Sequence, residues 1–185
     1  TETSAALALF PKFLELIADP NEFAVLRRAI SFLVLANRGD PVDPGFSLAV
    51  SGLEFLGWHT QVANGPLSAT RWKGMSARQR IDHLLGWASI PSSLPSELNE
   101  LRKALPGKSG PECVVTLRNR FIHPRPTDTR HPFDAYVEGW LLAAWYLELV
   151  ILFWLGYEGR YKPRLAENRW TGATEPMPWQ PTSRS

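Results

Sequence analysis

The sequence predicts an all-α domain, a helical bundle with a long apolar C-terminal helix and an irregular tail after it. Three observations predict this fold class. Apolar residues recur at helical spacing in almost every long segment, no segment shows the strict alternation of a strand, and Pro and Gly residues separate the segments. A chain of 185 residues is long enough for one domain with its own core.

Seven helices are predicted in chain order, over residues 3–18, 21–37, 46–62, 77–89, 96–105, 111–123 and 132–155. Ser76 and Pro111 are residue types that favour helix starts, while Pro20, Gly39 and Pro124 follow predicted ends. Loops are predicted over 39–45, 64–73 and 106–110. We expect residues 1–40 to be an N-terminal helical extension, and residues 41–185 to be the main domain, with an irregular tail from about residue 157.

The last predicted helix is apolar on nearly all sides from Gly139 onward. Such a helix is buried either inside its own domain or between two subunits. Glu148 divides its apolar run into two stretches, each shorter than the roughly 20 residues that cross a bilayer. The sequence therefore favours a buried helix over a membrane span, and a homodimer is one way to bury it.

Composition and charge limit the classes of function that the sequence allows. Cys113 is the single cysteine, so neither an intramolecular disulfide nor a thiolate zinc site can form. The cysteine count fits a reducing compartment, and the first residues do not resemble a signal peptide, so we expect a cytoplasmic protein. Residues 1–100 carry 8 basic and 10 acidic side chains, a balance of −2. Residues 101–185 carry 12 and 8, a balance of +4. The second half is therefore the better candidate for a nucleic-acid surface.

The segment from Glu112 to Pro124 contains the candidate catalytic residues. On a helical wheel, Arg118 falls inside the arc formed by Val114, Leu117 and Phe121. A guanidinium on a buried face is costly unless an acceptor pairs with it. That acceptor is a carboxylate such as Glu54 or Glu148, a carbonyl, or the phosphate of a ligand.

His123 lies five residues after Arg118, about 140° away on a straight helix. Pro124 disfavours helical backbone at the residue before it, so His123 is expected at or beyond the helix end. There the imidazole is free to turn toward Arg118 or across an interface.

An Arg and a His are sufficient for metal-independent cleavage of RNA. RNA supplies its own nucleophile, the 2′-hydroxyl, and a histidine can take up or donate the proton. An arginine can hold the non-bridging phosphate oxygens as charge builds on phosphorus. Asn119 could orient the histidine or hold an oxygen. Arg120 and Arg125 would bind substrate, and no metal or cofactor is required.

The sequence Leu117–Pro124 resembles the R-x(4–6)-H signature of HEPN (higher eukaryotes and prokaryotes nucleotide-binding) domains, including the polar residue after the arginine. The stretches 78–85 and 94–98, and the long helix that ends in Leu155-Gly156-Tyr157, are similar to the ApeA-like branch of this family. The resemblance covers roughly residues 44–180. It implies a helical bundle that dimerises, joins two motifs in one cleft, and cleaves RNA in toxin or phage-defence systems.

Other interpretations stay open at this point. Arg118 could be a structural residue paired with Glu54 or Glu148, and His123 could stabilise a helix end through the helix dipole. Asn119 could cap the helix, and Arg120 could be solvated. The whole domain could be a non-catalytic HEPN-like binding or dimerisation module, or a structural part of a larger protein.

Overall fold

The computed structural model describes residue 7 and residues 9–38, 42–123, 132–165 and 174–180. Within these ranges the protein is mostly helical, which confirms the all-α prediction. The helices are α1 (Phe10–Ala18), α2 (Pro20–Ala36), α3 (Val42–Trp58), α4 (Ala69–Gly74), α5 (Ala77–Trp87), α6 (Asn99–Ala104), α7 (Gly110–Ile122) and α8 (Phe133–Trp154). A π-helical turn, His59–Ala63, extends α3, and two short strands, β1 (Arg160–Tyr161) and β2 (Glu175–Pro176), pair antiparallel.

Helices α3 and α8 form the centre of the bundle. α8 packs along α3 and also contacts α2, α5, α6 and α7. Half of the 22 residues of α8, among them Leu142, Tyr146 and Leu149, are buried in the same chain. By length and composition α8 could cross a membrane, yet 56% of its most apolar window is buried inside the fold. Much of its apolar surface is therefore covered within one protomer.

Two glycines allow the central helices to approach closely. A Cβ at Gly52 of α3 would lie 2.7 Å from a methyl of Leu147 on α8. A Cβ at Gly139 of α8 would lie 2.7 Å from a methyl of Leu117 on α7. Real Cβ atoms do not make such short contacts, so a larger residue at either position would force the leucine side chain to shift.

The predicted loop over residues 39–45 is wrong in its second half, because α3 already begins at Val42. Pro44 is tolerated there, since the first turn of a helix has no intrahelical partner for a backbone N–H. A Cβ at Gly45 would lie 2.8 Å from the carbonyl oxygen of Ala36, so this glycine is a packing residue and not a turn residue. Residues 39–41 lie outside the described part of the chain.

The predicted loop over residues 64–73 contains the short helix α4. Ser68 caps it by accepting a hydrogen bond from the Arg71 N–H at 3.2 Å. Trp72 anchors it, because the indole lies where Gly57 of α3 leaves room. The guanidinium of Arg80 lies over the Trp72 ring and donates to the Trp72 carbonyl at 3.1 Å. One buried tryptophan thus fixes a helix that has little intrinsic stability.

The described part of the tail has little regular structure apart from β1 and β2, as predicted, but it is packed against the core. Tyr157, Tyr161 and Met177 are buried and belong to the core. The Tyr161 hydroxyl donates to Glu175 and accepts from the Trp145 indole N–H at 3.1 Å. The tail therefore folds back along α8 and becomes part of the domain.

The end of α5 contains the only non-glycine residue with positive φ among those described, Ser89 at +53°. The N–H of Ile90 donates to the Leu85 carbonyl at 2.9 Å and that of Ser89 donates to Gly86 at 3.2 Å, which is the Schellman pattern. We expect Ser89→Gly to raise the free energy of unfolding by about 0.5–1 kcal/mol, because glycine adopts this conformation without strain. Urea unfolding measures the change.

Ser93 is the matched control for this substitution, since it is exposed and has no positive φ. Ser93→Gly is expected to leave stability unchanged or to lower it slightly. Equal gains at both positions would show that the backbone at Ser89 is not strained.

Candidate functional site

Helix α7 carries the predicted motif, and its start is fixed by the local sequence. The Ser109 hydroxyl accepts from the Glu112 N–H at 3.4 Å, and Glu112 accepts from the Ser109 N–H at 3.0 Å. This reciprocal pair is a capping box, and Pro111 fills an early position where a missing N–H has no cost. Arg78 of α5 donates to the other oxygen of Glu112 at 3.0 Å. The cap thus also joins α7 to α5.

The capping box gives the fold a pH dependence. The hydrogen bond from the Ser109 N–H, with a smaller contribution from Arg78, lowers the pKa of Glu112 below its usual value. Because the folded pKa lies below the unfolded one, this stabilisation is complete above about pH 4.3 and is lost as the pH falls through the folded pKa. We expect Glu112→Gln to be less stable than wild type at pH 7 and equal to it at low pH.

Urea unfolding of both proteins across the pH range measures this difference. Glu158→Gln is the control, since the Glu158 side chain is exposed and forms no ion pair in the ranges that the structure covers. A stability gap between Glu112→Gln and wild type that stays constant down to the lowest pH would contradict the assignment.

Large side chains hold the far end of α7 against the core. Val114 and Leu117 are fully buried. The Phe121 ring packs edge-on against Phe46 of α3, with centroids 5.8 Å apart, and lies 4.4 Å from the ring of Tyr136 on α8. The backbone that carries Arg118 and Asn119 is therefore rigidly positioned between α3 and α8.

Arg118 lies on the half-buried side of α7, as its place in the apolar arc predicted. Its Nη1 donates to the Asn119 side-chain oxygen at 3.3 Å, while its Nε is buried and has no acceptor among the described residues. The alternative pairing with Glu148 is wrong, because Glu148 accepts from Arg164 at 2.8 Å. No ion pair joins Arg118 to Glu54 either, within the described ranges. A guanidinium without a carboxylate can still accept an anionic ligand.

His123 is the C-cap residue of α7, with φ −129° and ψ 66°, and its side chain is exposed. This confirms that the helix ends at the residue before Pro124. The His123 N–H donates to the Asn119 carbonyl at 2.9 Å. No side-chain hydrogen bond joins His123 to Arg118 or Asn119 in the described part of the chain. The structure thus joins Arg118 to Asn119 and leaves the His123 side chain, five residues further along the chain, without a hydrogen bond to either.

The remaining predicted residues differ in their outcome. Arg120 is half-buried and not fully solvated. Ile122 is 42% exposed at the helix end, and Phe133 at the start of α8 is 68% exposed. Arg125 lies outside the described residues. The end of α7 therefore combines polar motif residues with exposed apolar side chains.

Two reactive groups near the start of α7 are buried. Burial raises the pKa of the Cys113 thiol to about 11, so this thiol is a core group and not an activated nucleophile. Burial likewise raises the pKa of Tyr146, whose hydroxyl has no hydrogen-bond partner in the described ranges. That hydroxyl lies against the backbone of Gly110.

A separate polar cluster joins α2 to the π-turn. The Glu22 carboxylate contacts His59 Nε2 at 3.1 Å and accepts from the Asn64 amide at 2.7 Å. His59 is almost fully buried and packs edge-on against Trp154. Among the described residues, no group of three His, Cys, Asp or Glu side chains could hold a metal ion.

Sequence reasoning missed a surface groove along α5. It consists of two adjoining cavities of about 480 and 320 Å³ that share Asp82 and His83. The larger cavity is also lined by Gln61, Gly86 and Trp87, and the smaller by Arg71, Met75 and Gln79. We call these eight residues the α5 groove. The sequence signal that could have indicated it is the glycine at position 86, inside a helix.

Comparisons with known proteins give a family but no precedent for the site. The chain is 31% identical over 175 residues to a protein of Bacillus subtilis (strain 168) described as "SPbeta prophage-derived uncharacterized protein YopA". The match covers 93% of this chain and 39% of that protein. No solved structure matches the chain. Residues 19–175 match the family described as the YopA C-terminal domain, and the chain belongs to that family.

Proposed function

We propose that this domain is a metal-independent endoribonuclease of the HEPN type, with Arg118 and His123 acting at the scissile phosphate. The observation that carries the proposal is the Arg118 guanidinium, which is half-buried, has no carboxylate partner among the described residues, and leaves its Nε without an acceptor. Burying a guanidinium in this way is costly, and a phosphate oxygen would remove the cost. His123 lies five residues further along the chain, at the C-cap of α7, and is exposed to solvent.

The proposed reaction is an internal transesterification. His123 takes the proton from the 2′-hydroxyl, the 2′-oxygen forms a bond to phosphorus, and the bond from phosphorus to the 5′-oxygen breaks. A second imidazole or water supplies the proton to the leaving 5′-oxygen. Arg118 holds the non-bridging oxygens in the transition state, while Asn119 keeps the guanidinium in place. The products are a 2′,3′-cyclic phosphate and a 5′-hydroxyl.

We propose that two copies of the chain complete the site. A second His123 would supply the acid, since one histidine cannot serve as base and acid in the same step. The exposed Ile122 and Phe133, at the end of α7 and the start of α8, are apolar residues suited to such a contact. Helix α8 would contribute to this contact through its exposed start, because its centre is buried in the same protomer.

A second candidate function is a non-catalytic HEPN-like module that binds a nucleotide or a partner. The absence of a hydrogen bond between the His123 and Arg118 side chains, within the described ranges, favours this alternative. Catalytic groups held ready for reaction are usually joined by hydrogen bonds, although unliganded sites are often looser. The Bacillus subtilis relative is described as prophage-derived, and either function would suit a protein that acts in conflict between phage and host.

The test is cleavage of a long single-stranded RNA by the purified chain in excess EDTA. We expect fragments that end in a 2′,3′-cyclic phosphate. Fragments with other ends would contradict the transesterification, and absence of cleavage of any RNA would favour the binding module. Sedimentation over a range of protein concentrations tests the dimer, which a monomer at all concentrations would exclude.

A further inference from the structure

We propose that the α5 groove binds a nucleoside monophosphate, with the base in the larger cavity and the phosphate in the smaller one. The site goes beyond the proposed function, since none of its lining residues belongs to the segment 118–123. Both cavities are open to solvent, and their lining combines apolar surface with polar groups, as in many small-molecule sites.

The larger cavity combines an aromatic ring with a polar amide, the two features that bind a nucleobase. Trp87 lines it, and the indole is fixed by an edge-on contact with Phe153 at 5.0 Å between centroids. Gln61 lies in the π-turn with only 4% of its surface exposed, and its amide donates to the Thr60 hydroxyl at 3.3 Å. A held carboxamide retains a carbonyl acceptor and a second N–H for the edge of a base. An aromatic ring beside such an amide favours a planar heteroaromatic ligand.

The smaller cavity offers a site for the phosphate. Arg71 is exposed, and its guanidinium has no acceptor among the described residues. The Oε1 of Gln79 accepts hydrogen bonds from the N–H and the hydroxyl of Ser76, which leaves the amide N–H groups of Gln79 available to donate to a ligand. Arginine and amide donors together suit an anionic oxygen group.

The wall between the two cavities can receive the sugar. One Asp82 oxygen accepts from Arg78 at 3.3 Å, which offsets the negative charge next to a phosphate. The second oxygen remains available for a ribose hydroxyl. Arg80 fixes α4 on α5, as described above, so Arg71 and Asp82 keep their separation when no ligand is bound.

Gly86 contributes to the open shape of the larger cavity. It lies in the last turn of α5 with a negative φ, and a Cβ at this position would meet no atom within 4 Å. Nothing in the fold therefore requires glycine, which is a poorer helix former than alanine. A side chain here would extend into the larger cavity, so glycine keeps that cavity open.

The experiment is calorimetric titration of the full chain with AMP, GMP, CMP and UMP. We expect at least one of them to bind at a single site. The matching nucleoside and ribose 5-phosphate should each bind at least about tenfold more weakly, since each lacks one half of the ligand. If none of the four monophosphates binds at about 10 mM, the proposal is overturned.

Variants locate the site. Gly86→Leu fills the larger cavity and is expected to abolish binding, while Gly86→Ala retains it. Gly74→Leu is the control, because a Cβ there also meets open space and Gly74 does not line the groove. Binding by Gly86→Leu at wild-type affinity would overturn the proposal. Protection of the Cys113 thiol from labelling reports that each variant is folded.

Two further variants separate this site from the proposed active site. Arg71→Ala changes an exposed side chain, so it is expected to fold and to weaken monophosphate binding about tenfold without weakening nucleoside binding. His123→Ala is expected to leave binding unchanged. Loss of binding in His123→Ala with retention in Arg71→Ala would place the ligand at the α7 motif and overturn the groove. None of these outcomes depends on RNA cleavage.

Discussion

Arg118→Met is expected to abolish RNA cleavage and, at the same time, to raise the stability of the fold. The loss of activity should be about 10²–10³-fold, the effect of removing one charged donor from a developing negative charge. The gain in stability should be about 1 kcal/mol, because the buried Nε has no acceptor in the described part of the chain and methionine leaves no polar atom behind. Cleavage rates in EDTA and urea unfolding measure the two effects.

This pair of readouts separates a functional arginine from a structural one. A structural arginine would lose stability on substitution, since removing one partner of a buried polar contact leaves the other unsatisfied. Destabilisation of Arg118→Met by 2 kcal/mol or so would therefore show that Arg118 has a partner within the fold and would remove the main support for the proposal.

His123→Ala should lose about 10²–10⁴-fold in cleavage with no change in stability, because the side chain is exposed at the C-cap. Arg102→Ala is the control, since Arg102 is an exposed arginine on α6 whose guanidinium donates to the carbonyl of Pro95. Equal loss of cleavage in Arg102→Ala would indicate a general effect of positive charge on RNA binding and not catalysis at α7.

Gly110→Ala is expected to lower the free energy of unfolding by about 3 kcal/mol, because the new methyl group overpacks the core. A Cβ at Gly110 would collide with the Tyr146 hydroxyl and lie 3.0 Å from the ring carbon that carries it. Tyr146 is fully buried in the centre of α8, and the Gly110 N–H is already fixed to the Ser92 carbonyl at 2.8 Å. Neither side can move without disturbing the core.

Tyr146→Phe should rescue this variant. On its own it removes a buried hydroxyl that has no partner in the described ranges, so we expect it to be neutral or to stabilise by about 1 kcal/mol. In the Tyr146→Phe background the cost of Gly110→Ala should fall by about 2 kcal/mol. Urea unfolding of the four proteins gives this coupling free energy. Additive effects would show that the hydroxyl does not cause the collision.

Local chemistry made parts of the fold and of the site predictable. The starts of α5 and α7 were predicted from Ser76 and Pro111, and in the structure Ser76 and Ser109 each form a capping box with the residue three positions later. The end of α7 at His123 follows from Pro124. The half-buried position of Arg118 follows from helical periodicity alone. These features depend on residues within a few positions of one another, so the sequence contains all the information that determines them.

Contacts between distant residues decided the rest, and no local pattern encodes them. α3 begins early because Gly45 packs under the Ala36 carbonyl, and the tail is ordered because Tyr161 reaches Trp145 of α8. The path of the whole chain decides which surfaces cover α8. It also decides that Arg164 is the side chain that pairs with Glu148. The apolar composition of a segment predicts that the segment is buried. Which other segments cover it is decided only when residues far apart in sequence pack together.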